Sequence, residues 1–99
     1  IMVCLNRAND VVGYYKISSG GFSGSVVDPR VVMTIALNNA SSSIILAHNH
    51  PSGNLKPSDG DKAITEKIRK ACAFFDMNLL DHLIITDESY LSFKEEGLI

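Results

Sequence analysis

Short apolar runs alternate with polar, turn-rich stretches along the whole chain. The apolar run at residues 1–5 and the β-branched and aromatic run at residues 11–17 flank a turn cluster, which predicts a β-hairpin. Residues 43–47 have the composition of a buried central strand. Two further runs, residues 80–86 and 90–93, are separated by a turn and complete a set of five predicted strands.

Two segments carry the start signals and the apolar spacing of helices. Asp28-Pro29 sets an N-cap carboxylate before a proline at the first helical position, and it predicts a helix that ends near residues 38–41. Ser58 predicts the N-cap of a second helix reaching about Phe75. The apolar stripe of this helix is Ile64, Ile68, Ala71, Cys72 and Phe75. The order β-β-α-β-α-β-β is typical of an α/β sheet with helices packed on its faces.

Size and composition indicate one ordinary globular domain, residues 1–99. The chain has 99 residues, 45% of them apolar and 20% charged, which suits a single modest core. No apolar run reaches the ~20 residues of a membrane helix, and no secretory signal is visible, so the expected location is the cytoplasm.

The sequence begins at Ile1 with what reads as the middle of a strand, so we expect an N-terminally truncated domain of a longer protein. Residues 18–24 predict a flexible loop.

The charge balance argues against a dedicated nucleic-acid binder. The formal net charge is −2, whereas such a binder usually presents a basic face. Lys67, Arg69 and Lys70 form a small basic cluster, but the same helix carries Asp61 and Glu66. We interpret this cluster as a solvated helix face, and we expect neither a membrane nor a favoured nucleic-acid partner.

The cysteines and the aromatic residues are assigned to the core. Cys4 and Cys72 lack CxxC spacing, so neither a disulfide framework nor a thiolate zinc site is predicted. The aromatic residues predicted in the core are Tyr14, Tyr15, Phe74, Phe75 and Phe93.

Two histidines and one aspartate carry the strongest chemical signal. His48 and His50 follow a predicted strand two residues apart, so both side chains project to one face and can share a cation. Asp61 precedes Ile64 by three and Ile68 by seven, which places a carboxylate on the inward stripe, where an unpaired charge is costly. Two histidines and a carboxylate leave one tetrahedral position for a water whose pKa falls toward about 7. The pattern predicts a Zn²⁺ site for metal-assisted hydrolysis.

Other interpretations of these side chains stay open. Each of the three, taken alone, is more often an ordinary strand-end histidine or a carboxylate at a helix start. Ser58 is first an N-cap, and its hydroxyl, one turn from Asp61, is also a candidate catalytic group that helps to hold a developing oxyanion. His82, next to Asp81 in a predicted central strand, is interpreted as a hydrogen-bonded structural histidine, with a ligand or a catalytic base as the alternative.

The spacing of these residues resembles a known metallopeptidase motif. His48-x-His50-Pro51 followed by Ser58-x-x-Asp61 is similar to the JAMM motif of the JAB/MPN metallopeptidase-like superfamily, in which ten residues separate HxH from the aspartate. More narrowly, the chain resembles the bacterial RadC-like family over essentially its whole length. The residues that carry this resemblance are Asp28-Pro29-Arg30, residues 48–53, Pro57-Ser58, Asp81-His82 and residues 90–93.

The resemblance implies a fold, a metal and a substrate class. The fold is a three-layer α/β fold of the MPN (cytidine-deaminase-like) type, with a mixed β-sheet flanked by helices. Zinc would be held at the positions matching His48, His50 and Asp61, and the substrate would be a peptide or a protein. The superfamily's general base is a glutamate on the first strand, whereas the first glutamate here is Glu66. We expect the matching glutamate to precede Ile1, so that this chain binds metal but is catalytically incomplete.

Three hypotheses about function follow. The leading one is a zinc-dependent metallopeptidase, or isopeptidase-like amide hydrolase, domain of a RadC-like bacterial protein. The second is an MPN-type interaction module that performs no chemistry. The third is DNA repair or nuclease activity; the letters His48-Asn49-His50 invite comparison with HNH nucleases, but in that motif these residues are dispersed along the chain.

Overall fold

This computed structural model describes residues 1–17 and 27–99, and within them the chain forms five strands and two helices. The strands are β1 (Met2–Leu5), β2 (Val11–Tyr15), β3 (Ser43–Asn49), β4 (Asn78–Ile85) and β5 (Tyr90–Ser92), and the helices are α1 (Pro29–Asn38) and α2 (Asp59–Phe74). The predicted element order is confirmed. The loop predicted at residues 18–24 lies outside the described residues.

The strands form one mixed sheet in the order β2-β1-β3-β4-β5. β3 and β4 are parallel and are joined by α2, while the other neighbouring strands are antiparallel. The register between the parallel strands sets Leu46 beside His82 and His48 beside Ile84. Because side chains alternate along a strand, His48 and His82 lie on the same face of the sheet, on adjacent strands. The predicted α/β fold with a mixed sheet is confirmed.

One hydrophobic core packs the two helices against the sheet. Its buried members are Met2, Cys4, Val32, Ala36, Ile44, Leu46, Ile68, Cys72, Met77 and Leu79. The members from β1 and β3 are two residues apart in each strand, so they point to one face, and residues of α1 and α2 join the same cluster. Both cysteines are buried and unpaired, as predicted. Neither described helix is long and apolar enough to cross a membrane.

The aromatic residues are less buried than the sequence predicts. Phe93 is buried and Tyr15 packs against the core, as expected. The prediction is wrong for Tyr14, Phe74 and Phe75, which are 66%, 83% and 47% exposed. Tyr14 alternates with Tyr15 and so lies on the other face of an edge strand. Phe74 ends α2 and Phe75 is its C-cap, so the helical spacing that would turn Phe75 inward stops before it.

Candidate metal centre

The end of β3 carries the two histidines of the predicted site. His48 is the penultimate residue of the strand and His50 follows its end. The backbone N–H of His50 still donates to the carbonyl of Ile85 at 3.0 Å, which extends the pairing with β4 by one residue. Pro51 then begins a turn. Both imidazoles therefore leave an extended backbone and project over the same end of the sheet.

The first turn of α2 supplies the carboxylate. Asp61 is its third residue and Ser58 is the N-cap, as the sequence predicts. The hydroxyl oxygen of Ser58 accepts a hydrogen bond from the Asp61 N–H at 3.0 Å, and Oδ2 of Asp61 accepts one from the Ser58 N–H at 2.8 Å. This reciprocal capping box fixes the carboxylate, whose side chain is only 12% exposed, toward the sheet.

His48, His50 and Asp61 meet in one cluster that can hold a metal ion. The two Nε2 atoms lie 2.9 Å apart, Oδ1 of Asp61 is 3.4 Å from His48 Nε2, and Oδ2 is 3.3 Å from His50 Nε2. Ligand atoms of a tetrahedral zinc ion with bonds of about 2.0–2.1 Å lie about 3.3 Å apart. The distances to the two carboxylate oxygens match this value, whereas the two Nε2 atoms are closer and would separate slightly around an ion. The donor set also fits, since two imidazoles and a carboxylate are common zinc ligands.

His50 is held with a free nitrogen toward this cluster. Its Nδ1 lies 2.7 Å from the carbonyl oxygen of Asn54. A carbonyl oxygen can only accept, so Nδ1 carries a proton, and in the neutral form of the ring Nε2 is unprotonated. In that form the Nε2 lone pair faces a second imidazole nitrogen at 2.9 Å and a carboxylate oxygen at 3.3 Å, a position where a metal ion or a shared proton can be held.

A buried histidine supports the other ligand. Nε2 of His82 lies 2.8 Å from Nδ1 of His48, and its Nδ1 lies 2.6 Å from Oγ1 of Thr65. The Thr65 hydroxyl is also 2.6 Å from the carbonyl oxygen of Asp61, to which it donates. The His82 ring stacks on Phe93 with centroids 4.7 Å apart. His82 is therefore a hydrogen-bonded buried histidine, as interpreted from the sequence, but its partners belong to the site.

The surroundings favour the protonation states that a metal requires. Burial, and then the neighbouring His48, lower the pKa of His82 to about 4 despite the nearby carboxylates. Burial also lowers the pKa of His48, against the opposing pull of Asp61. Burial opposes ionisation of Asp61. Hydrogen bonds from Ser58, and then the electrostatic effect of the two histidines, outweigh burial and hold the pKa of this carboxyl below its usual value. These directions favour a neutral imidazole at His48 and at His82 and an ionised carboxylate at Asp61.

Glu66 lies outside the cluster. Its carboxylate accepts a hydrogen bond from Nε of Arg69 at 2.9 Å, on the face of α2 where Lys67 and Lys70 are also exposed. This arrangement confirms that the basic cluster of α2 is a solvated helix face. Within the described residues Glu66 is paired with Arg69 and is not a member of the His48, His50 and Asp61 cluster.

Sequence reasoning did not identify two groups that support the ligands, Thr65 and the Asn54 carbonyl. Thr65 follows Asp61 by four residues, so the helical repeat alone places both on one face. A polar residue on that inward face was the available signal. No sequence signal marks a backbone carbonyl in a loop, and the link from His82 to His48 depends on the register of β3 and β4.

The chain is similar to a family of bacterial proteins. Residues 1–98 match the family described as the RadC-like JAB domain. Among curated relatives, three bacterial proteins are each named UPF0758 protein. The one from Flavobacterium johnsoniae is 48% identical over 94 residues (95% of this chain, 41% of that protein), and the one from Porphyromonas gingivalis is 40% identical over 99 residues (99% and 44%). The one from Streptococcus gordonii is 41% identical over 96 residues (97% and 42%). The chain thus spans less than half the length of these relatives.

Proposed function

The chain belongs to the RadC-like JAB domain family, and from that membership we propose that it is the zinc-binding domain of an amide hydrolase. The observation that carries the proposal is the convergence of His48, His50 and Asp61, whose ligand atoms all lie within 4.8 Å of one another. The side chains come from a strand end and a helix start, two rigid elements, so the donor set is organised before any ion binds.

The chemistry follows from the donor set. A zinc ion held by two imidazoles and one carboxylate supplies a Lewis acid that polarises a carbonyl group and lowers the pKa of water to about 7. The protein's part is to turn one nitrogen of each imidazole toward the ion and to hold the carboxylate in place. The Asn54 carbonyl orients the ring of His50, and the Ser58 N–H orients the carboxylate of Asp61.

Ser58 is the proposed catalytic group of this chain. Its oxygen accepts from the Asp61 N–H, which leaves the hydroxyl proton free to be donated to an oxyanion formed beside the cluster. The proposed substrate is an amide bond of a peptide or protein. The proposed general base is a glutamate that precedes Ile1 in the longer protein, because Glu66 is engaged with Arg69 on the outer face of α2.

Metal titration tests the first step of this proposal. The chain is stripped with a chelator and titrated with Zn²⁺ against a chromophoric competitor, and we expect one ion per chain. Asp61→Asn keeps an acceptor for the Ser58 N–H but removes the charge, and we expect the dissociation constant for zinc to rise by about 100-fold or more. Asp59→Asn, on the exposed side of the same helical turn, is the matched control and should bind as the wild type does. Equal zinc binding by the Asp61 variant would refute the assignment.

Hydrolysis is tested in the longer protein. We expect zinc-dependent cleavage of amide bonds in a peptide library, and we expect it to disappear in Asp61→Asn and in a variant that lacks the upstream glutamate. If the protein binds zinc at this site but cleaves no amide, the domain is a binding module that has kept its metal.

A further inference from the structure

A chain of hydrogen bonds joins the ring of one proposed ligand to the backbone of another. It runs from Nδ1 of His48 to His82 at 2.8 Å, from His82 to Thr65 at 2.6 Å, and from Thr65 to the carbonyl oxygen of Asp61 at 2.6 Å. His82 is 2% exposed and Thr65 is 1% exposed, so water does not compete for these contacts. Each proton in such a chain must occupy a definite position.

The Asp61 carbonyl at the end of this series decides which atom donates and which accepts in each of its hydrogen bonds. The oxygen of Asp61 can only accept, so the single hydroxyl proton of Thr65 is used there. At its contact with His82 the hydroxyl must therefore accept, which puts a proton on His82 Nδ1. A charged imidazolium is costly at this buried position, where one face of the ring stacks on Phe93, so His82 is neutral and its Nε2 is unprotonated. That nitrogen accepts a hydrogen bond from His48, which therefore carries its proton on Nδ1.

We propose that Thr65 and His82 are positioning residues that hold His48 in the tautomer whose Nε2 is free to bind a metal ion. Their role in metal binding rests on the function proposed above, whereas the tautomer itself does not. His48 and His50 thus reach the same state by different means. His50 donates to a backbone carbonyl, which can only accept, and needs no further help. His48 donates to another imidazole, which could equally donate, and so a third group must settle the direction.

Thr65 is that third group, and its effect can be predicted by replacing its hydroxyl with a methyl group. In Thr65→Val the side-chain shape is kept, but Nδ1 of His82 loses its acceptor. The neutral ring of His82 is then free to carry its proton on Nε2 and to donate to His48. The proton of His48 would move to its own Nε2, the nitrogen that faces His50 and Asp61.

Long-range ¹H–¹⁵N NMR of the histidine rings tests the tautomers in the metal-free chain. In the wild type we expect the Nδ1–H form for both His48 and His82, and in Thr65→Val a shift of both rings toward the Nε2–H form. Thr65→Ser keeps the hydroxyl and should restore the wild-type spectrum. Thr34→Val is the matched control, because the Thr34 hydroxyl makes the same bond to a carbonyl one turn earlier (Arg30, 2.7 Å) on α1. It should leave the ring signals unchanged.

Zinc affinity tests the consequence. We expect Thr65→Val to weaken zinc binding by about 10- to 100-fold, as loss of an outer-shell partner does, and Thr65→Ser to restore it. Should Thr65→Val fail to fold, His82→Gln replaces it. The glutamine carbonyl can accept from His48 while its amide donates to Thr65, so the Nδ1–H form of His48 should persist.

The two proposals fail in different ways. Wild-type tautomers and wild-type affinity in Thr65→Val, or an Nε2–H form of His48 in the wild type or in His82→Gln, would overturn the positioning role while zinc binding stood. A wild type that binds no zinc would overturn the proposed function, while the NMR spectra would still decide the tautomers.

Discussion

The backbone N–H of Ser58 donates to Oδ2 of Asp61 at 2.8 Å, so one carboxylate both caps helix α2 and faces the two histidines. Oδ1 of Asp61 accepts no hydrogen bond within the described residues and lies 3.4 Å from Nε2 of His48. The cap therefore orients the proposed ligand and leaves one oxygen for an ion. The start of helix α2 and the candidate metal centre share these residues, so substitutions at Ser58 should have two separable effects.

Replacing Ser58 should lower stability more than zinc affinity. Ser58→Ala removes the acceptor of the Asp61 N–H, and we expect the free energy of unfolding to fall by about 1 kcal/mol. Ser58→Asn, a good N-cap, should restore most of that loss. The Ser58 N–H is unaffected in both variants, so zinc affinity should change by no more than about threefold. Urea unfolding and zinc titration measure the two quantities. If the longer protein is a hydrolase, Ser58→Ala should also lower kcat by about 10²–10³-fold.

The metal-free chain should lose stability as the pH falls from about 6.5 to about 4. The pKa of His82 is lowered to about 4 in the folded state, against 6.5 when unfolded. Within this window the unfolded chain binds a proton that the folded chain does not, so acid favours unfolding. The full difference corresponds to about 3 kcal/mol, and the lowered pKa of His48 acts in the same direction.

Urea unfolding at a series of pH values, in the presence of a chelator, measures this dependence. In His82→Asn, the part of the pH dependence of the free energy of unfolding that is due to His82 should vanish. A free energy of unfolding that stayed constant from pH 7 to pH 4.5 in the wild type would contradict the prediction.

Two substitutions in α2 should differ sharply in their effect on stability. Ile68 is fully buried and Phe74 is 83% exposed. We expect Ile68→Ala to cost about 2–5 kcal/mol, because it leaves a cavity in the core, and Phe74→Ala to change stability by no more than about 0.5 kcal/mol. Both variants place alanine in the same helix, so thermal or urea unfolding compares burial directly. Similar losses for the two would mean that Phe74 is packed in solution.

Cys72 should resist alkylation in the folded chain. It is fully buried, and burial raises the pKa of its thiol to about 11. At pH 8 the thiolate fraction is then lower by roughly 200- to 300-fold than for a free cysteine with a pKa near 8.5. Iodoacetamide labelling followed by peptide mass spectrometry should show modification of Cys72 in urea and little without it. Equal labelling rates in the two conditions would show that α2 opens readily from the sheet.

Local signals predicted most of the secondary structure. The caps at Asp28 and Ser58 lie where the sequence predicts them, because capping depends on residues within one helical turn. The observed strand ends differ from the predicted ones by up to two residues, because pairing with a neighbouring strand decides where a strand stops. The errors at Tyr14, Phe74 and Phe75 have the same origin: an edge strand and a helix end leave large apolar side chains in solvent.

The sequence by itself determined the three proposed ligands. The spacing of His48 and His50 and the place of Asp61 on its helix are local periodicities, which can be recognised before the fold is known. Only the tertiary structure decided which tautomer His48 adopts. His82 and Thr65 lie 34 and 17 residues from His48, and they meet it because β3 and β4 pair in a particular register with α2 packed across them. A proton's position depends on partners that are distant in sequence, so no local pattern could reveal it.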